Sequence, residues 1–333
     1  MTDNMLTLNA REALRALYDS RNYTEVVRTL SDLPRATLLE VPEHGYMLAD
    51  AARRVGGVPD LLALITDVVD GARRQDDKKT LCCALNLQGV LLLEQGLAQA
   101  AERAWCDLVI VATAADDSQF VARASNNLGV AAILNMRLEV AITNFQRAIS
   151  AYLRLGYARG CAQAHQNLGI VFRELDHVQD AHAHFENAIT FAQTADCPDD
   201  VARAEQESAL LMVYADEDLT DAESAAHRAL DAFAQLKQPA GTAEAFRVVG
   251  VVALARGQRE EARLSFDSAL KIARELKLRL LEAETMLGLA RLARLANDAP
   301  TSYNLQLLAT EIFRDIGAEP WGDRVRLRME SLA

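Results

Sequence analysis

Small and apolar residues recur along this chain in a frame that returns every 40 residues. Ser125-Asn126-Asn127-Leu128-Gly129 is followed 40 residues later by His165-Gln166-Asn167-Leu168-Gly169. Twelve residues beyond each glycine stands an alanine (Ala141, Ala181), four further a phenylalanine (Phe145, Phe185), and three beyond that another alanine (Ala148, Ala188). Gly89 heads the same frame with Ala101, Trp105 and Leu108, and Gly250 heads it with Ala262, Phe266 and Ala269. Leu210 with Ala222, Ala226 and Ala229 is a weaker copy. Steps of four and three put such a set on one stripe of an α-helix. A glycine late in the preceding helix lets the stripe approach closely, and the ring fills the gap between helix pairs. No pair can bury its stripe alone, so the pairs must stack. The pattern predicts an all-α fold of about fifteen antiparallel helices in a right-handed α-solenoid, with no sheet.

The frame divides the chain into repeats near 9–35, 43–79, 80–119, 120–159, 160–200, 201–240, 241–279 and 280–319, with a capping segment over 320–333, all in one solenoid spanning 1–333. The first repeat opens with capping-box spacing at Asn9 and Glu12 and turns at Asn22-Tyr23. The second turns at Gly56-Gly57-Val58-Pro59, with Leu61, Ile65 and Val68 as its stripe. In the last full repeat Pro300 replaces the usual alanine, which suits a helix starting after Asp298. A final helix is expected over Arg324–Leu332.

The small residue of the first helix and the Ala…Phe…Ala of the second resemble the tetratricopeptide repeat. That repeat is about 34 residues long, so a step of 40 implies longer helices. Long-repeat members include the kinesin light chain, LGN-type polarity adaptors and the helical sensor regions of bacterial transcription regulators. The stretch from Ile312 to Asp323 is similar to the closing segment of those sensor regions, although no DNA-binding helix-turn-helix follows it.

Composition narrows the function. Aromatics are only 5%, in keeping with close helix–helix packing. A net charge of −12 opposes nucleic-acid binding, which needs a basic stripe against phosphate, and opposes anionic membranes. No run reaches the 18 apolar residues of a membrane span. The start, Met1-Thr2-Asp3-Asn4, lacks a secretion signal, so the expected location is the cytoplasm and the Asn22-Tyr23-Thr24 sequon carries no weight. Homo-oligomerisation is compatible with all of this.

Catalytic motifs are missing: the chain has no GxxxxGK[ST], GxGxxG, HExxH or GxSxG. Its five cysteines include no CxxC, and the adjacent Cys82 and Cys83 point about 100° apart on a helix, which disfavours a redox pair. His182 stands one turn before Glu186, yet His182 and His184 face opposite sides and cannot share a metal. Asp216-Glu217-Asp218 falls in a turn, where acids cap helices. The expectation is a protein that is not an enzyme and holds no cofactor or metal.

The resemblance implies that the first helix of each repeat lines a concave groove. With the glycine as position 8, positions 2, 5, 9 and 12 share that face. Position 5 carries Asn86, Asn126, Gln166, Glu207, Arg247 and Thr285, and position 2 carries Cys83, Arg123, Gln163, Ala204, Glu244 and Glu282. Asn127 and Asn167 stand at position 6, where asparagine in related repeats often holds a ligand's backbone, and Arg173 stands at position 12. The candidate groove residues are therefore Arg123, Asn126, Asn127, Gln163, Gln166, Asn167, Arg173 and Arg247. Amides match a peptide backbone in both donor and acceptor, and guanidinium groups match carboxylates. Position 9 (Val90, Val130, Ile170, Leu211, Val251, Leu289) and position 12 (Leu93, Ile133, Leu254, Leu292) form an apolar stripe, either groove floor or core; a terminal helix in the groove would reconcile the two. The expected function is a protein- or peptide-binding adaptor. The alternative is a peptide-responsive sensor, disfavoured because the repeats begin almost at Met1 and leave little room for an effector domain.

Overall fold

The computed structural model describes residues 8–332, with side chains from residue 11 onward. Among these residues every regular element is an α-helix: α1 (Leu8–Asp19), α2 (Tyr23–Ser31), α3 (Arg35–Glu40), α4 (Pro42–Val55), α5 (Leu61–Arg74), α6 (Lys78–Glu94), α7 (Ala98–Ala114), α8 (Ser118–Leu134), α9 (Leu138–Arg154), α10 (Ala158–Glu174), α11 (Val178–Thr194), α12 (Pro198–Tyr214), α13 (Leu219–Gln235), α14 (Pro239–Ala255), α15 (Arg259–Glu275), α16 (Arg279–Leu295), α17 (Ala299–Asp315) and α18 (Glu319–Ser331). There are more helices than the repeat frame predicts. The six-residue α3 is too short to carry a periodic stripe. The last helix starts at Glu319 rather than Arg324, because Pro320 sits in its first turn, where a missing N–H costs nothing. The Asn9–Glu12 box does not open α1, which is already helical at Leu8; the Asn9 side chain lies outside the described residues.

Helices α6 to α17 are all 17 residues long, so the 40-residue repeat is two near-equal halves. One residue in each connection turns left-handed, running Asp76, Gly96, Asp116, Met136, Gly156, Asp176, Asp196, Asp216, Lys237, Gly257, Lys277, Asn297 and Gly317. The hydrogen bonds explain the regularity. Met136 N–H donates to the Ile133 carbonyl (2.8 Å) and Arg137 N–H to the Ala132 carbonyl (2.8 Å), a Schellman closure that satisfies the helix-end carbonyls. Arg137 is at the same time the cap of α9, so the chain reverses in three residues.

The glycine–ring pairs behave as the frame requires. A Cβ on Gly169 would lie 2.5 Å from the Phe185 ring, and one on Gly129 would lie 2.5 Å from Phe145. Gly89 meets Trp105 in the same way, and Phe266 is held between Gly250 and Gly288 of the next repeat. Phe145, Phe185, Phe266 and Trp105 are all buried. The weaker copy inverts the volumes: Leu210 takes the glycine position, Ala226 takes the ring position, and both are buried in one cluster.

The chain packs into two compact units, up to Ala124 and from Ser125 onward, with α8 contributing to both. In the first, α4 to α7 form two stacked pairs, with Ile65 and Val68 of the predicted stripe fully buried. In the second, α9, α11, α13, α15 and α17 alternate with α10, α12, α14, α16 and α18. Each even-numbered helix also packs on the next even-numbered one, from α10 to α18, while successive odd-numbered helices have no comparable contact among the described residues. The even-numbered helices therefore line the inner face of the second unit.

Candidate functional site

The inner face of the second unit carries most of the polar rows picked out by the repeat frame. Asn126, Asn127, Gln163, Gln166 and Asn167 are all half-buried on α8 and α10. Asn167 donates from Nδ2 to Asn126 Oδ1 (3.2 Å), joining position 6 of one repeat to position 5 of the one before. A primary amide has two donors and an acceptor with two lone pairs, so one such bond fixes its orientation without exhausting its capacity. At the start of α10, Arg159 binds Asp199 and Asp200 of α12 (2.7 Å each), and Gln163 reaches Asp200 at 3.4 Å.

The arginines at positions 12 and 5 already hold carboxylates of this chain. Arg173 is 4% exposed and donates to Glu174 (3.0 Å) and Glu207. Arg247 faces Glu284 with Nε 3.3 Å from a carboxylate oxygen. Burial would lower both guanidinium pKa values, but the facing carboxylates outweigh it and raise them, so both stay charged. Between these pairs Arg203 approaches Glu244 at 3.4 Å. The Glu244 carboxyl is raised by enclosure, against Arg203 and Arg247, with Glu207 and Glu284 adding to the rise. Its side chain nonetheless keeps 40% of its surface. A concave wall gives that combination, with protein atoms on most sides and a solvent path left open.

The last helix takes the place of the terminal helix that would reconcile the two readings of the apolar stripe, through contacts that the sequence does not show. From α18, Arg324 donates to the Glu174 carboxylate (2.8 Å) and to the Glu174 carbonyl (2.8 Å). Arg328 donates to Glu174 (3.2 Å), to Asp176 (3.0 Å) and to the Arg173 carbonyl (2.8 Å), and lies 4.6 Å over the Tyr214 ring. Trp321 donates its indole N–H to Glu284 (2.7 Å) and packs on both apolar groups of the inner face, that of α8 and α10 and that of α12 to α16. Burial alone would raise the Glu174 carboxyl; Arg173, Arg328 and Arg324 together bring it below its usual value. The position-9 and position-12 stripe of this unit is accordingly core, closed over by Trp321. The basic spacing of 324 and 328 was visible in the sequence, but not its partner about 150 residues away.

Arg123 falls in the first unit, where its guanidinium acts on the Cys83 thiol and the Tyr46 phenol and lies 5.5 Å over Phe120. Burial, only partly opposed by Arg123, pushes the Cys83 thiol up to about 11; burial does the same to Cys82, so neither is a ready thiolate. His182 binds Glu217 (3.0 Å) rather than Glu186. His184 instead meets His165, Nδ1 to Nδ1 at 2.9 Å, a pair split between two helices that no local spacing reveals. Among the described residues Cys197, Asp199 and Asp200 gather three side chains able to bind a metal, but Arg159 bridges both carboxylates. No helix among the described residues is long and apolar enough to cross a membrane.

Residues 120–194 match the tetratricopeptide repeat family model. No curated protein matches the sequence. Among solved structures, aspartyl phosphate phosphatase F from Bacillus subtilis superposes with a TM-score of 0.64 at 15% identity, covering 78% of this chain and 68% of that one. The Rap conjugation gene regulator of plasmid pLS20, in complex with the Phr* peptide, gives 0.60 at 13% identity, covering 91% and 96%. NprR in complex with its cognate peptide NprX gives 0.57 at 14% identity, covering 82% of each chain. Residues 120–194 are therefore tetratricopeptide repeats, and the chain as described shares the all-α fold of these structures.

Proposed function

We propose that the chain is a non-catalytic scaffold or adaptor that holds a peptide or protein segment on the inner face of its second unit. The observation that carries this reading is the amide row on adjacent inner helices, tied together by the Asn167–Asn126 bond and half open to solvent. Asn126, Asn127, Gln163, Gln166 and Asn167 would bind polar groups of the ligand, with Arg203 and Glu244 beside them. Arg173 and Arg247 would act by fixing neighbouring carboxylates rather than by touching the ligand, since each already forms an ion pair with one. A peptide-responsive regulatory role is the second reading. It is favoured by the two peptide complexes of similar fold, those with Phr* and NprX. Neither reading needs a cofactor, nucleic acid or membrane.

The test begins with the full chain as bait in native lysate, to identify the partner. Calorimetry then compares Asn126→Ala/Asn167→Ala with Asn187→Ala, an exposed change on α11. The inner-face double change should weaken binding by about 1–3 kcal/mol. Unchanged affinity there, with a loss at Asn187, would move the site to the outer surface. Solution scattering separates the two readings, because a regulator should change its dimensions on binding and an adaptor should not.

A further inference from the structure

We propose that α18 is a displaceable occupant of the inner face, and that the ligand of this face is a helix of the same chemistry: an aromatic ring followed by arginines three and seven residues on. The proposal rests on the reading of that face as a ligand seat. Charge gives the first argument. The inner face holds five carboxylates near one another (Glu174, Asp176, Glu207, Glu244, Glu284) against the three guanidinium groups of Arg173, Arg203 and Arg247. Arg324 and Arg328 bring two further guanidinium groups to Glu174 and to the exposed Asp176. They also bond the Glu174 and Arg173 carbonyls at the end of α10, the latter already accepting from the Asp176 N–H (3.0 Å).

The second argument is how α18 is held. Within the helix Gly322, Val325 and Met329 are buried, and Ala318 and Leu332 at its two ends join Val325 and Met329 in the apolar cluster. Its other anchors are one tryptophan and two arginines, side-chain groups of the kind that dominate exchangeable interfaces, with Arg291 of α16 donating to the Leu332 carbonyl (3.0 Å). The link to α17, Ile316-Gly317-Ala318, is the same three-residue closure as the other connections, with Gly317 left-handed at φ 63°. A tethered occupant competes at high effective concentration. An incoming helix therefore binds more weakly by the fraction of time the seat is free.

The test uses the full chain and two variants, Arg324→Glu/Arg328→Glu and Arg324→Lys/Arg328→Lys. The probe is a fluorescein-labelled peptide of residues 318–332, with a control peptide carrying glutamate at both arginines. Hydrogen exchange reads α18, and fluorescence anisotropy reads peptide binding. In the glutamate variant α18 amides should exchange fast while α8 to α17 stay protected, and the probe should bind it at least about tenfold tighter than it binds the wild type. The lysine variant should stay closed, and the control peptide should bind neither. Three results would overturn the proposal: α18 as protected in the glutamate variant as in the wild type; protection lost throughout α8 to α17, which makes α18 an integral cap; or α18 released with no peptide bound. The amide row is intact in every variant. A negative result thus counts against the latch alone, whereas Asn126→Ala/Asn167→Ala tests the seat.

Discussion

At the scale of single residues, stability in this chain is set by volume exchanged between a glycine and a ring sixteen positions later. Phe185 fills the space that Gly169 leaves, so Phe185→Ala opens a cavity and should cost about 3–5 kcal/mol by urea denaturation. Gly169→Leu alone should also destabilise, because its side chain would meet the ring. Combined, the two changes reproduce the Leu210–Ala226 arrangement that the chain already uses in another repeat. The double variant should therefore be more stable than the sum of the single losses; simple additivity would show that the two sites are not complementary. The His165–His184 pair makes a pH prediction. One imidazole must donate to the other across 2.9 Å, so a second proton would set two N–H groups face to face. Burial and His184 hold the His165 pKa down to about 4, while an unfolded imidazole protonates near 6.5. The unfolded chain then binds more protons between those values, so stability is full above about 6.5 and falls as pH drops toward 4. His165→Phe keeps the stack on Phe191 and should flatten the fall in melting temperature between pH 7 and 4.5; an unchanged slope would contradict this.

At the scale of elements, the sequence made the 40-residue step legible because glycine and phenylalanine mark only alternate helices. The finer step of about 20 residues was hidden. Its marker is a backbone conformation, and the left-handed position is filled by Gly, Asp, Asn, Lys or Met with no common side chain. Local signals were otherwise sound. Asp298 caps α17 by accepting from Thr301 N–H (3.2 Å), and Asp218 caps α13 by accepting from Thr220 N–H (2.7 Å). The inner-face amides were legible too, since their register follows from the glycine. The engagement of Arg173 was not, because Glu207 and α18 meet it only through folding. The left-handed turns give a further prediction. Lys277 is exposed at φ 57°, where a side chain adds strain that glycine avoids. Lys277→Gly should stabilise by about 0.5–1 kcal/mol, the relief of strain exceeding the added freedom of the unfolded chain. A destabilised variant would mean that the turn tolerates lysine without strain.

At the scale of the molecule, the central claim is that the second unit receives its ligand on the even-numbered helices. Isoleucine methyl groups sample both sets of helices. Ile133 and Ile170 belong to α8 and α10, whereas Ile142, Ile149 and Ile189 belong to α9 and α11. The most direct test is a methyl NMR titration of the full chain with its isolated partner. The account predicts that the Ile133 and Ile170 methyl resonances shift on binding while Ile142, Ile149 and Ile189 stay in place; shifts confined to the latter three would contradict it.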